Sequence, residues 1–276
     1  MEASMLALAD GVYAWVHDVQ DRFTCNVGVI VEDDGLILID SSGRRSSYEA
    51  LGRELLRFGR PVRKLILTHA HPDHIAGAGY FNPGEILASA ASQSSLQTPP
   101  MITALQALHP QVADELVELQ HPLPSKVIEG PHTFGRITLE HVVGHTQGDL
   151  MVRVADADVL FAGDLCFFEQ VPLGVGAHFE SWIAALACLV SAQERIVPGH
   201  GPIGTAVQAQ GVRDYLEAVL DAASRQTSLR TGPWDAWYDP WSERLPYACH
   251  RINIECAQNP TQVPPTMLRL IRGSNG

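Results

Sequence analysis

Seven histidines and aspartates fall in four clusters, and each cluster stands where a short apolar run stops. His69-Ala70-His71-Pro72-Asp73-His74 follows the β-type run Lys64 to Thr68. Gly144-His145-Thr146 follows a run ending in Val143, Ala162-Gly163-Asp164 one ending in Phe161, and Pro198-Gly199-His200-Gly201 one ending in Val197. Any one of these residues reads equally well as a turn residue or a satisfied core group. All of them at successive strand ends form a pattern that chance does not explain, and the glycines beside them let the backbone come close or take positive φ.

The rest of the chain is organised around those strand ends. Val12 to Val16, Asn26 to Val31 and Leu36 to Ile39 read as strands, the last two joined by the turn Asp33-Asp34-Gly35, which predicts an antiparallel meander. Ser46 to Phe58 places Leu51, Leu55, Leu56 and Phe58 near a 3.6-residue period, and Gly59 and Pro61 end that helix. Ser89 to Pro124 is rich in Ser, Gln and Pro, with helical patches at Met101 to Leu108 and Val112 to Leu119, and reads as an insertion (89–124) over the mouth of a site. Strand signals return at Ile137 to Val143, Leu150 to Val154, Val159 to Phe161 and Arg195 to Val197, with a helical run at Ser181 to Val190. The strand-then-helix pattern thus occurs twice, before and after about residue 125. From about 230 to 276 the chain is aromatic and Pro-rich, with Trp234, Trp237 and Trp241, and suggests a packed arm or lid.

Composition narrows the classes. With 276 residues, 46% of them hydrophobic, the chain can bury one sizeable core, so a single domain over 1–276 is expected. A formal charge of −12 disfavours polyanionic partners, so neither nucleic acid nor an anionic membrane surface is expected. No apolar run approaches the roughly 18 residues of a membrane span. Met1 to Asp10 has no basic stretch before an apolar one, so a cytoplasmic location is expected. The five cysteines, Cys25, Cys166, Cys188, Cys249 and Cys256, are odd in number and lack a Cys-x-x-Cys pair, which argues against a disulfide framework and against a thiolate zinc site. Most read as small buried hydrophobes.

Zinc favours imidazole and carboxylate ligands at about 2.0–2.2 Å, and a catalytic zinc keeps one position open. In the first cluster a turn after a strand can aim His69 and His71 at one ion while Asp73 and His74 turn toward a second. The complete series, His69-x-His71-x-Asp73-His74, His145, Asp164 and His200, resembles the metallo-β-lactamase superfamily over a frame from near Val12 to about Leu220. The resemblance implies an α+β fold, a four-layer αββα sandwich with the metal site at one edge of the β-sheets. It implies that His69, His71 and His145 hold a first metal, Asp73, His74 and His200 a second, and that Asp164 bridges them. It also implies two Zn(2+) per chain and hydrolysis by a metal-bridging hydroxide, with Asp73 orienting the water and passing a proton to the leaving group.

Within that superfamily the residues favour a hydrolase of a small carboxylic-acid derivative: a lactone, ester, thioester or β-lactam. Members with a Cys ligand on the second metal carry it where this chain has Asp164; Cys166 reads as structural. Thioester hydrolases acting on glutathione carry a basic C-terminal patch, here reduced to scattered Arg244, Arg251, Arg269 and Arg272. Acyl-lactone hydrolases often place a Tyr shortly after the bridging Asp, where this chain has Phe167 and Phe168. Phe167, Phe168, Val171 and Leu173 read either as an apolar wall or as core, and His178 either as a pocket contact or as a surface histidine. The alternative chemistry is that of a persulfide-dioxygenase-like mononuclear iron oxidoreductase using the first-site ligands. The expected partner is a small-molecule substrate, with a homodimer as a further option.

Overall fold

The computed structural model describes residues 3–116, 123–190 and 194–273. Strands β1 (Ser4–Ala9), β2 (Val12–Val16), β3 (Val27–Glu32) and β4 (Gly35–Ile39) pair antiparallel in chain order, which is the expected meander with one more strand in front. β1 escaped the sequence reading because it is an edge strand whose side chains are largely exposed, so no buried face marks it. Helix α1 (Arg45–Leu55) then carries the chain to β5 (Val62–Ile66), which adds in parallel to β4. Its face of Leu51 and Leu55 is buried, and Gly59, at φ 61°, closes the short 3₁₀ turn that follows. Two single-turn helices, α2 (Pro72–Ile75) and α3 (Ala78–Phe81), lead to β6 (Glu85–Ser89). Helices α4 (Ala90–Ser95) and α5 (Ile102–Leu108) precede β7 (Lys126–Ile128), which completes a seven-stranded sheet in sequence order.

The second sheet has the order β12-β11-β10-β9-β8. β8 (His132–Phe134), β9 (Ile137–Val142), β10 (Asp149–Val154) and β11 (Val159–Phe167) are antiparallel, and β12 (Arg195–His200) joins β11 in parallel after helix α6 (Phe179–Val190). Helices α7 (Ala206–Arg225), α8 (Ala248–Gln258) and α9 (Pro265–Arg272) follow. The twofold recurrence of strands around residue 125 corresponds to the two sheets.

Three apolar seams separate four layers. Between the sheets lie Val12, Ile30, Ile37, Ile39 and Ile66 from the first, against Leu139, Val152, Val159, Phe161 and Val197 from the second. On the outer face of the first sheet Val27, Val29, Leu36, Leu38 and Leu65 meet Leu51 and Leu55 of α1. On the outer face of the second, Leu160 and Ala162 meet Trp182, Leu186, Val212 and Leu216 of α6 and α7. Successive residues of β4 therefore bury on opposite faces, which is why the run Leu36 to Ile39 shows no polar alternation. Each such side chain contributes about 1.5–3 kcal/mol of burial, so an Asp at Ile39 or Phe161 would open the seam between the sheets.

Three expectations need correcting. The strand expected to end at Phe161 runs on to Phe167, and the one expected to end at Val197 continues to His200, through irregular pairing at Gly163. The C-terminal arm expected from about residue 230 carries α8 and α9; α8 buries the polar His250 and Asn253 beside Cys249, Ile252 and Cys256, which blurs its period in the sequence. Within 89–124 the first helical patch is α5, whereas the second is a pair of 3₁₀ turns over Pro110–Leu116 kinked at Val112, and its remainder lies outside the described residues.

Candidate metal centre

The strand order brings the four clusters to one end of the inter-sheet seam. His69 and His71 leave the end of β5. Pro72, with its fixed φ, opens α2 and turns Asp73 and His74 back toward the same point. His145 stands in the loop between β9 and β10, Asp164 within the irregular end of β11, and His200 at the last position of β12. The structure thus brings together all seven residues singled out in the sequence. Ligand atoms of His69, His71, His145 and Asp164 lie within 4.8 Å of one another, and so do those of Asp73, His74 and His200.

Asp164 reaches both groups. Its Oδ2 is 3.3 Å from His145 Nε2 and 3.7 Å from His69 Nε2, while Oδ1 is 3.1 Å from His74 Nε2 and 3.3 Å from His200 Nε2. His145 Nε2 and His71 Nδ1 are 2.9 Å apart, and His200 Nε2 is 3.4 Å from Asp73 Oδ2. Ligands bound tetrahedrally at the distances zinc prefers sit about 3.3–3.4 Å from each other, so these spacings suit a metal at the centre of each group. The buried Nε2 atoms of His69 and His74 and Oδ1 of Asp164 have no hydrogen-bond partner, an arrangement that is costly unless a cation uses their lone pairs. The residues present therefore fit divalent metal ions.

The side chains by themselves divide into two electrostatic classes. Burial holds His69 and His71 below the ordinary imidazole range and His145 down at about 3, so all three offer lone pairs. Burial works in the same direction on His74 and His200, but it is outweighed: by Cys25, Asp164 and Asp40 around His74, and by Asp164 and Asp73 around His200, which rises to about 9. Burial alone would raise Asp73 and Asp164, yet both lie below the carboxylate range, Asp73 through its hydrogen bond with His200 and the charge of His74, Asp164 through the charges of His74, His200 and His145.

Several supporting residues were not singled out in the sequence. Asp40 is buried; its Oδ1 accepts from Thr68 N (2.8 Å), and its Oδ2 accepts from Thr68 Oγ1 (2.7 Å) and faces His74 Nδ1 at 2.8 Å. The proton on His74 Nδ1 is thereby held by the carboxylate and Nε2 is left for a metal. Asp40 also stands just past an apolar strand, the same signal that marked the other clusters. Asp149 accepts from Thr146 N (3.0 Å) and Oγ1 (2.6 Å), pinning the loop of His145, and burial pushes its carboxyl up to about 7. Asn26 Nδ2 donates to the carbonyls of Pro198 (3.0 Å) and Gly201 (2.8 Å), tying the His200 loop to the first sheet. At Gly199 a Cβ would lie 1.9 Å from Asp164 Oδ1, so only glycine fits there. Cys25 was read as a small buried hydrophobe; its thiol, pushed up to about 11 by burial, also groups with Asp40 and His74. Cys166 is buried in the core behind Asp164 and joins no ligand group among the described residues.

Above the two groups opens a cavity of about 250 Å³, reached by His71, Asp73, His145, Asp164 and His200. Phe167 lines it and stacks on the His200 ring at 4.9 Å and 16°, with Val171 and Leu173 beside it, whereas Phe168 is core under Gly201 and Gly204. The apolar wall is therefore real at three of the four expected positions. His178 is exposed and away from the cavity. The tryptophans divide: Trp241 lines the cavity, while Trp234 and Trp237 pack on Tyr215.

Comparison with known proteins agrees with this geometry. The sequence profile described as "Metallo-beta-lactamase superfamily" matches residues 21–200. The chain belongs to this superfamily. Among relatives, the uncharacterized protein YobT of Bacillus subtilis is 26% identical over 51% of this chain, which spans only 62% of YobT's length. A protein named metallo-beta-lactamase type 2 from Bacillus sp. (strain 170) is 26% identical over 69% of this chain and 74% of its own. Among solved structures, the DIM-1 metallo-beta-lactamase superposes with a TM-score of 0.62 at 18% identity, covering 79% of this chain and 98% of that one. A metallo-beta-lactamase from Pontibacter korlensis gives 0.58 at 19% identity, covering 78% and 99%. At such identities the structures establish the shared fold alone. Membership in the superfamily and the ligand clusters together imply divalent metal binding. Among the described residues no helix is long and apolar enough to cross a membrane.

Proposed function

We propose that this protein is a zinc-dependent hydrolase of a small carboxylic-acid derivative, a lactone, ester, thioester or β-lactam, with two zinc ions per chain. The observation that carries the reading is the Asp164 carboxylate, with one oxygen among His69 and His145 and the other between His74 and His200, at the floor of a largely apolar cavity. His69, His71 and His145 would hold one ion and Asp73, His74 and His200 the other, with Asp164 shared. Zinc bound there supplies an acidified water and a Lewis acid that polarises an acyl oxygen. The protein's own contribution begins with orientation, since Asp40 fixes the His74 ring and Phe167 backs that of His200. Asp73 lies in the cavity lining, where its carboxylate can hold a proton and pass it to the leaving group. Phe167, Val171 and Leu173 exclude water from the apolar part of the substrate.

A complete second ligand group, Asp73, His74 and His200, supports two metals over the mononuclear iron of a persulfide-dioxygenase-like enzyme. The decisive experiment is elemental analysis of the purified protein together with turnover of chromogenic esters, lactones, thioesters and β-lactams, the last included because one relative is named a metallo-beta-lactamase. Zinc near two per chain with turnover of any member supports the reading. Iron near one per chain, or zinc-loaded protein inert to the whole panel, overturns it.

A further inference from the structure

His109 lies in the cavity wall at the C-terminal end of α5, on the segment between β6 and β7. Its position is rigidly built. Trp241 Nε1 donates to the Leu108 carbonyl at 3.0 Å, and an Arg244 guanidinium N–H donates to the Ala107 carbonyl at 2.8 Å, so the C-terminal arm clamps the last turn of α5. The His109 ring stands edge-on to Phe23 at 5.2 Å and packs on Trp241 at 5.8 Å. Yet its Nδ1 is buried without a hydrogen-bond partner, although leaving such an atom unsatisfied forfeits its whole hydration. Burial holds the ring at a pKa of about 4, so at neutral pH it is uncharged, with one donor and one acceptor.

The surrounding wall says what such a ring could meet. It is mostly apolar, through Phe23, Leu105, Leu108, Val171, Leu173 and Trp241. Of the charged side chains beside it, Asp21 is paired with Arg44 at 3.4 Å and His17 at 3.2 Å, while Arg22 donates to the Pro240 carbonyl and lies over the Tyr238 ring, uncharged partners that leave its positive charge in place. Beside His109, an uncharged amide, ester or hydroxyl of a ligand would find a hydrogen-bond partner in an otherwise apolar stretch of wall.

We infer that His109 is a substrate-binding residue, whose ring hydrogen-bonds an uncharged polar group of the substrate. The inference rests on the hydrolase reading for the word substrate, but its test does not need turnover. Hexanamide serves as a neutral acyl probe and n-butylbenzene as an apolar one, each titrated into zinc-loaded protein with ¹⁵N-labelled histidine. Both should bind, and hexanamide alone should shift the His109 ring nitrogens. His109→Phe, which preserves the packing on Phe23 and Trp241, should weaken hexanamide about tenfold and leave n-butylbenzene unchanged, and His109→Gln should restore most of the loss. Hexanamide binding that leaves the His109 nitrogens unmoved, or no hexanamide binding, overturns the inference, as does an equal loss of both probes in His109→Phe. If the ester and lactone panel is not turned over while hexanamide still shifts His109, it is the hydrolase reading that fails.

Discussion

Replacing Asp40 by Asn tests the account of the metal centre at a residue that touches no substrate. The Asp40 carboxylate accepts three hydrogen bonds, from Thr68 N, Thr68 Oγ1 and His74 Nδ1, at 2.7–2.8 Å. An amide of the same shape has one acceptor oxygen. If that oxygen takes the place of Oδ2, its NH₂ group faces the Thr68 N–H, and one buried donor goes unsatisfied at a cost of about 1–3 kcal/mol. If the NH₂ takes that place instead, it can be accommodated only by moving the His74 proton to Nε2, which removes the lone pair meant for the metal. In the first arrangement the two surviving hydrogen bonds also lose their charge assistance, so the total loss should be about 2–4 kcal/mol; in the second the three contacts persist without that assistance, and the cost falls mainly on metal binding. For a chain of this size a loss of that order lowers Tm by roughly 3–7 °C. Zinc affinity of the group formed by Asp73, His74 and His200 should fall about 10- to 100-fold, the usual effect of removing the partner that orients a ligating histidine. Calorimetry of the metal-free protein reads the first quantity, and competition with a chromophoric chelator reads the second. Unchanged affinity with a lowered Tm would reduce Asp40 to a packing residue; if neither quantity moved, the hydrogen-bond account itself would be wrong.

Four further expectations concern the site. His145→Ala should empty or weaken the first metal group and reduce hydrolysis at least about 100-fold, and full metal content with full activity would refute its assignment as a ligand. Asp73→Asn at saturating zinc should lower turnover roughly 100- to 10,000-fold while KM changes far less, since the amide keeps an oxygen but cannot take up and pass on a proton; retained turnover would leave Asp73 as a ligand only. Chelation should lower Tm, because an ion that binds only the folded chain stabilises it by mass action, and identical melting curves after verified metal loss would contradict that coupling. His109, at about 4 when folded against 6.5 ordinarily, should make the fold lose up to about 3 kcal/mol as pH drops from about 6.5 to 4, because the unfolded chain takes up the proton first. Urea unfolding of wild type and His109→Phe across that range checks it: the variant should lack this share of the acid sensitivity, and parallel pH profiles would refute it.

The ligand residues were legible in the sequence for a local reason. Each is a residue type with few other uses at that density, and each stands within a few positions of an apolar run, so chemistry and strand end are read from the same short window. The four layers were likewise written into runs such as Leu36 to Ile39, whose lack of polar alternation signals burial on both faces. Asp40 carried the same strand-end mark and could have been found. Beyond the ligands, local pattern ran out. His109, Phe23 and Trp241 come from three separate stretches of the chain, the last two more than two hundred residues apart, and they meet only because the C-terminal arm folds back on α5 through Trp241 and Arg244. Nothing in the windows around those residues distinguishes a cavity wall from a core, as Phe167 and Phe168 show by taking one role each. Metal chemistry is a property of side chains and survives in the sequence; the shape and polarity of the cavity above the metals belong to contacts between distant segments, and only the packed tertiary structure decides them.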